Sequence, residues 1–409
     1  MLVAAGDRLF ATENTGDTEF MRMVDSSHLY SFTGRVFAAP RFLVLLLWAL
    51  CALSGESLAQ DFRRVHPGVE YAQVEHKIGG DPVKINLLRL DRLKVKLDVV
   101  HAADKAIGLE TTSSIAKRRK AVAAINSGFF RLDKSAFAGD ASGVLMIDQV
   151  LLSESNLDRT AVFIADYPAT NLGIGQIRTR LTLDWNGRNI SASGLNRERK
   201  ADEIVAYSSA FGPSTMTSGP GIELTLLKDR IASVNKGNAN TVIPDGGWVI
   251  SASGLAASQF AEAQIGDRME FRAAPMLSAN GNWLPLEYVD DIVAGVSRLI
   301  SGGKIDLSWE REKAAKAFAE TRHPRTAVAK LKDGKFLMVT VDGRQPGVSV
   351  GMSLQELAEY LLSLGAVDAM NLDGGGSTTM YLDGKVVNRP SDKEGERKIG
   401  DAIVVTLRK

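Results

Sequence analysis

Ten residues near the C-terminus, Asn371-Leu372-Asp373-Gly374-Gly375-Gly376-Ser377-Thr378-Thr379-Met380, carry the densest set of chemically capable groups in the chain. Three consecutive glycines lose much backbone entropy on folding, so they are expected where φ must be positive or another group approaches the backbone closely. A run of free N–H groups in such a turn forms a concavity that suits phosphate or another oxyanion. On that reading Gly374, Gly375 and Gly376 supply amides, and Ser377 and Thr378 add hydroxyl donors at the exit. Asp373, at the mouth of the turn, can serve as proton donor, nucleophile, metal ligand or cap for the turn's own amides. A glycine-rich hairpin closed by an Asx turn has the same pattern without any chemistry. The order Gly-x-x-x-x-Gly-Lys-Ser/Thr is absent, which argues against a P-loop and ATP hydrolysis.

Two more segments carry candidate groups. His323-Pro324-Arg325-Thr326-Ala327-Val328-Ala329 puts a guanidinium at the head of a strand, where its planar donors can pair with phosphate or carboxylate. A structural salt bridge explains Arg325 equally well. In Asn126-Ser127-Gly128-Phe129-Phe130, Asn126 offers a donor and an acceptor to a sugar hydroxyl. Its plainer reading is a polar strand end above two core aromatics.

These groups need elements to hold them. Ser353-Leu354-Gln355-Glu356 is a capping box, and Leu354, Leu357, Ala358, Leu361 and Leu362 repeat with helical spacing before Gly365 closes the helix. Residues 366–372 then read as a buried strand, 373–376 as a tight loop, and 378–382 as a second strand that turns at Asp383-Gly384 into Lys385-Val386-Val387. Upstream, Thr111 to Lys120 suits a short helix, and 121–126 a buried strand that delivers Asn126 at its end. Residues 83–90 and 93–100 alternate as strands, and Asp91-Arg92 between them suggests a hairpin. The stretch from Asn156 to Ala274 mixes short strands with Gly- and Asn-rich turns. The expected class is α+β, a mixed and largely antiparallel β-sheet core packed against a few α-helices.

In this order the segments resemble the phosphodiester glycosidase family. A typical member runs Asn-Gly-Gly-Phe-Phe, Arg-Thr-Ala, a capped helix, Asn-Leu-Asp-Gly-Gly-Gly-Ser, then Pro-Ser-Asp. Here these are Asn126 to Phe130, Arg325 to Ala327, the helix from Ser353, Asn371 to Ser377, and Pro390-Ser391-Asp392. Asp342-Gly343-Arg344-Gln345-Pro346-Gly347 and Asn388-Arg389 also match bacterial members. The resemblance runs from Val83 to Lys409, dense after Asp290 and thin between Asn156 and Ala274. It departs at Ser127, where glycine is usual, and at Ala294-Gly295-Val296-Ser297-Arg298-Leu299, in place of Gly-Gly-Gly-Pro-Arg-Leu. The resemblance implies hydrolysis between a sugar's anomeric carbon and a phosphate that carries a second group. Asp373 is the expected essential carboxylate and Asp392 a second. The glycine loop and Arg325 are expected to hold the phosphate and Asn126 and Asn371 to position the sugar, with Gly128 and Thr326 among the substrate-binding residues. A rival reading is a non-catalytic periplasmic glycan-binding or exopolysaccharide-assembly protein that holds an anionic polymer on the same groups. A structural envelope protein would leave the polar loop unexplained.

Composition sets the limits. A hydrophobic fraction of 45% and a charged fraction of 24% belong to a chain that can bury a large core. Lys+Arg 49 against Asp+Glu 48 gives a net charge of +1, no bulk field for nucleic acid or an anionic membrane. Arg35 and Arg41 precede an apolar run over 42–53 that is long enough for an export signal and short for a membrane span. Ser57-Leu58-Ala59 predicts cleavage before Gln60, which would remove Cys51 and leave no stable membrane insertion. The expected address is periplasmic or secreted in a bacterium, with Met21 or Met23 better starts than Met1. Residues 1–59 then form an extension and signal, and 60–409 one domain with its motif-rich part at 290–409. Cys51 alone makes no intramolecular disulfide, and spacing-based zinc motifs are absent. Asp290-Asp291 and the Asp-rich loops suit a calcium ion, or ordinary turns.

Overall fold

The computed structural model describes residues 61–408, apart from 239 and 280. The export signal, Cys51 and the domain start at Gln60 lie outside the described residues.

Two antiparallel sheets position the motifs. The larger runs, in spatial order, through Arg63–His66, Val69–Ile78, Asp81–Leu90, Phe336–Val341, Arg325–Leu331, Ala366–Asn371, Arg298–Ser301 and Lys304–Ile305. The smaller runs through Lys385–Val386, Met380–Leu382, Ala123–Asn126, Asp401–Leu407 and Val95–His101. Their central strands are rich in Val, Ile, Leu, Ala and Met and are buried on both faces, as expected for strands with layers on either side. Leu88, Leu90, Ile125, Val328, Met370, Leu372, Met380 and Ile403 join in one core cluster that spans both sheets. The Asp373 loop is the crossing between them. It leaves the larger sheet at Asn371 and enters the smaller one at Met380.

The capped helix forms over Leu354–Ser363. Ser353 Oγ accepts from the Glu356 amide, and Glu356 Oε2 accepts from the Ser353 amide at 2.8 Å. Leu354, Leu357, Ala358, Tyr360 and Leu361 bury one face against the strands that carry Asn371 and Arg298. Helices matter less than expected. Strands make up 48% of the described residues and helices 10%, so the layers are closed mainly by sheet against sheet. The one parallel pairing among the described residues joins Gly194–Leu195 to Ile204–Ser208, in a five-stranded sheet of the middle region.

The hairpin expected at Asp91-Arg92 is not formed. Asp81–Leu90 pairs with Val69–Ile78 and Phe336–Val341, whereas Val95–His101 pairs with Asp401–Leu407 in the other sheet. Asp91 ends one strand by accepting the Leu93 amide at 3.0 Å. Asp81–Leu90 takes a central position in the larger sheet and Val95–His101 the edge of the smaller one, so each buries its apolar side chains in its own sheet's core. Among the described residues no helix is long and apolar enough to cross a membrane.

Candidate active site

The Asp373 loop is fixed from both sheets before its side chain is considered. The Asp373 amide donates to Ser127 O at 2.8 Å and the Leu372 amide to Thr326 O at 2.8 Å. The Gly375 amide donates to Pro324 O at 2.9 Å. Beneath them lies Asn126, 1% exposed. Its Nδ2 donates to Asp373 O at 2.7 Å, and its Oδ1 accepts from Thr326 Oγ1 at 2.7 Å and the Thr379 amide at 3.1 Å. Asn371 is also fully buried, donating to Leu372 O at 2.7 Å and to Val296 O. Asn126 and Asn371, expected to position a sugar, and Thr326, expected to bind substrate, instead tie the loop to the sheets from below.

Each glycine has its own steric reason. A Cβ on Gly374 would stand 2.6 Å from Pro324 O. Gly375 has φ +62°, and its Cβ would meet the Arg344 guanidinium at 3.0 Å. A Cβ on Gly376 would overlap the Arg397 guanidinium and the Asp392 carboxylate, at 2.1 and 2.2 Å. The expected row of free amides is therefore not what the loop presents. Gly374 N–H caps Asp373 Oδ1 at 2.9 Å and Gly375 N–H is taken by Pro324, leaving only that of Gly376 without a protein acceptor among the three. Absent side chains bring guanidinium groups onto the backbone, where they can serve as donors to an anion. Ser377 and Thr378 are buried and are not among the residues that line the groove.

The groove above the loop has a volume of about 340 Å³. Asp373 and the three glycines form its floor; Arg344, Arg397, Arg325 and His323 line it on the cationic side, and Phe129, Ala317 and Phe318 on the apolar side. Phe129 and Phe318 meet edge to face with centroids 6.0 Å apart. Arg344 has no carboxylate within salt-bridge range among the described residues, and its Nη2 lies 3.4 Å from His323 Nδ1. Arg397 is held by Asp392 through paired contacts, Nε to Oδ2 at 2.7 Å and Nη2 to Oδ1 at 3.0 Å. Asp392, the expected second carboxylate, is thus an anchor for Arg397.

Arg325 is the largest fully buried side chain, 1% exposed. Its Nε donates to Met352 O at 2.8 Å and its Nη2 to Phe318 O at 2.7 Å and Thr321 O at 3.0 Å, with Cζ 5.0 Å from the Phe318 ring centroid. Neither a free phosphate clamp nor a salt bridge, it fixes the Phe318 wall and adds positive potential from behind. Burial, then the Arg344 charge, pushes it down to about 10.

Burial also pushes the Asp373 carboxyl up to about 7; Ser377, the Gly374 amide and the Arg397 charge pull the other way, and Asp401 adds to the rise. Asp401, 1% exposed, accepts from Gly128 N at 2.5 Å and from Ser127 Oγ. A Cβ on Gly128 would stand 3.0 Å from both Asp401 oxygens, so this glycine makes room for a carboxylate and does not face the groove. Ser127 adds a donor to that carboxylate. Burial, with Arg325 and Arg344, lowers His323 and keeps it neutral. Asp290 and Asp291 accept main-chain amides of Asp166, Val99 and Asp148, at 2.8 to 2.9 Å. Among the described residues no three His, Cys, Asp or Glu side chains stand together as a metal site.

Arg344, Arg397 and Asp401 escaped the sequence reading as site residues. For Arg344 the signal was its glycine-flanked turn, Asp342 to Gly347, since an arginine at φ +59° is held there for a reason. For Arg397 it was spacing, five residues after Asp392.

A glycine-rich crossing between two antiparallel sheets, with one raised carboxyl among guanidinium groups, makes a groove suited to an anion. Residues 222–406 match the phosphodiester glycosidase family model. The match takes in Arg325, Arg344, Asp373, Asp392, Arg397 and Asp401, but not Asn126 or Gly128.

The chain is similar to the N-acetylglucosamine-1-phosphodiester alpha-N-acetylglucosaminidase of Mus musculus, 32% identical over 161 residues, which are 37% of this chain and 30% of the mouse protein. It spans less than a third of the length of the curated relatives it matches. A solved structure from Burkholderia pseudomallei, provisionally described as an exported protein, superposes with a TM-score of 0.69 at 26% identity, covering 79% of this chain and 74% of its own. A hypothetical protein from Synechocystis shares the fold, with a TM-score of 0.70 at 23% identity over 83% of this chain and 62% of its own.

Proposed function

We propose that this chain is an exported hydrolase that cleaves the bond between a sugar's anomeric carbon and the phosphate of a sugar-1-phosphodiester, in a glycan or cell-envelope conjugate. One observation carries the reading: Asp373, with its carboxyl at about 7, shares a groove with two guanidinium groups that the glycine loop admits. The phosphate diester lies against Arg344 and Arg397, which stabilise the charge it gains as the bond to the anomeric carbon breaks. A phosphate monoester leaves without needing a proton, so the hydrolysis asks for one base, and Asp373 is that base. Water attacks the anomeric carbon, its proton passes to Asp373 and then to solvent, and the sugar gains the hydroxyl. A carboxyl near 7 suits a proton acceptor at neutral pH. Phe129 and Phe318 give the apolar face of the sugar a wall and keep the developing oxocarbenium carbon from bulk water.

The test incubates purified protein with sugar-1-phosphodiesters and with simple glycosides, and follows release of the phosphate monoester. The reading expects turnover of a phosphodiester, lost in folded Asp373→Asn and cut about 10²-fold or more in Arg344→Ala. No turnover of any phosphodiester, alongside intact binding to an anionic glycan, would show a binding protein instead.

A further inference from the structure

A second cavity, larger than the groove, lies outside it. It has a volume of about 490 Å³ and is lined by Arg131, Asp140, Glu154, Arg197, Glu198 and Lys200, with hydroxyls and amides between them. We propose that this cavity is a subsite for a neutral sugar unit of the glycan that carries the phosphodiester. The inference rests on the hydrolase reading for its place along the substrate and on its own geometry for the ligand class.

The lining decides the class of ligand. Three cationic side chains face three carboxylates, so the formal charges cancel. The arginines are already engaged: Arg131 Nη1 reaches Glu198 Oε2 at 2.6 Å, and Arg197 reaches Glu154 Oε1 at 2.5 Å and Glu203 Oε2 at 2.7 Å. A phosphate would have to displace these carboxylates, whereas a neutral polyol can accept from and donate to the same row without breaking a pair. Ala141 and Leu157 are its only apolar side chains, a poor match for a lipid or aromatic guest. Asp140 supplies the unused acceptor. Its carboxyl makes no hydrogen bond to the described residues, and burial pushes it up to about 7. Ser142, Ser155 and Asn156 add small polar groups beside it.

The backbone links this cavity to the groove. The Arg131 amide donates to Asp140 O at 2.8 Å and the Ser142 amide to Phe129 O at 2.7 Å, around a bridge that pairs Phe130 with Ala141. Phe130 packs toward the Tyr381 and Ile399 cluster. Phe129 and Arg131 therefore share the opposite face, about 7 Å apart along extended chain. Phe129 lines the groove and Arg131 the cavity. A glycan with its phosphodiester on the Asp373 loop would pass along this ribbon from one to the other.

The test titrates wild type, Asp140→Asn and Asn156→Trp with a panel of neutral di- and tetrasaccharides and with inorganic phosphate by calorimetry. In parallel, hydrolysis of a methyl sugar-1-phosphodiester is measured. Asp140→Asn is isosteric and breaks no contact; Asn156→Trp fills the cavity from its rim. The expected result is binding of a neutral oligosaccharide by wild type, weakened at least tenfold in both variants, with methyl phosphodiester turnover unchanged. No oligosaccharide binding, or binding that survives both substitutions, overturns the subsite. The two readings fail separately. Asp140-dependent binding without turnover of any phosphodiester refutes the hydrolase alone, and turnover without oligosaccharide binding refutes the subsite alone.

Discussion

Asp373 owes its role to what surrounds it. Its carboxyl is largely buried on a loop whose own amide caps one oxygen, and burial outweighs the Arg397 charge and the cap to hold it near 7. As the base for water it must be ionised, so kcat/KM is expected to rise about tenfold per pH unit below 7 and to level off above it. A profile that falls through 7 would mean that the protonated form acts. In the proposed mechanism Arg344 and Arg397 share the phosphate unequally. Arg344 is exposed and has no carboxylate partner among the described residues, so Arg344→Ala is expected to lower kcat/KM about 10²-fold or more with little change in melting temperature. Arg397→Ala also strands Asp392, and is expected to cost stability as well; thermal melts beside steady-state kinetics separate the two. The sequence pointed to the carboxylate but not to its cationic partners. Asp373 announces itself because glycines surround it, whereas Arg344 stands thirty-one residues from Gly375, and only folding lays its guanidinium on that glycine. Arg325 misleads for the converse reason. The Met352, Phe318 and Thr321 carbonyls that satisfy it leave no mark in the sequence.

The loop works because elements on both sides hold it. Asn126 closes the strand Ala123–Asn126 and bonds Asp373 O, Thr326 and Thr379 at once. Asn126→Ala would leave these buried groups unpartnered, and a loss of at least about 2 kcal/mol in urea unfolding is expected, with a drop in kcat/KM as the loop relaxes. Gly375→Ala would force alanine to φ +62° against Arg344, costing about 1 to 3 kcal/mol and weakening phosphate affinity more than it lowers stability. Equal and small effects of both substitutions on activity would contradict this account of the loop. At this scale local signals read well. The capping box and apolar repeat gave the helix Leu354–Ser363, and the buried run gave the strand after it. Pairing partners did not, because alternation reports which faces are buried and not which strand lies alongside. Asp81–Leu90 and Val95–His101 look like a hairpin locally and belong to different sheets.

Across the whole molecule, ionisation couples the site to stability. Asp140, Asp291 and Asp373 are each pushed up to about 7, so between pH 4 and 7 the folded chain keeps protons that the unfolded chain has released. Stability therefore falls as pH rises through that window. Glu203, Glu223 and Glu356 are lowered and contribute stability that is lost in acid below their ordinary range. The melting temperature is expected to peak on the acid side of neutrality, and Asp373→Asn to gain on wild type as pH rises from 4 to 7. A wild-type melting temperature that climbs steadily from pH 5 to 8 would contradict it. The central claim concerns which bond breaks, and hydrolysis of a sugar-1-phosphodiester in water enriched in the heavy oxygen isotope reads that directly. If Asp373 delivers water to the anomeric carbon while Arg344 and Arg397 hold the phosphate, the label enters the released sugar and the phosphate monoester stays unlabelled. Label in the phosphate would place the attack at phosphorus and contradict the assignment.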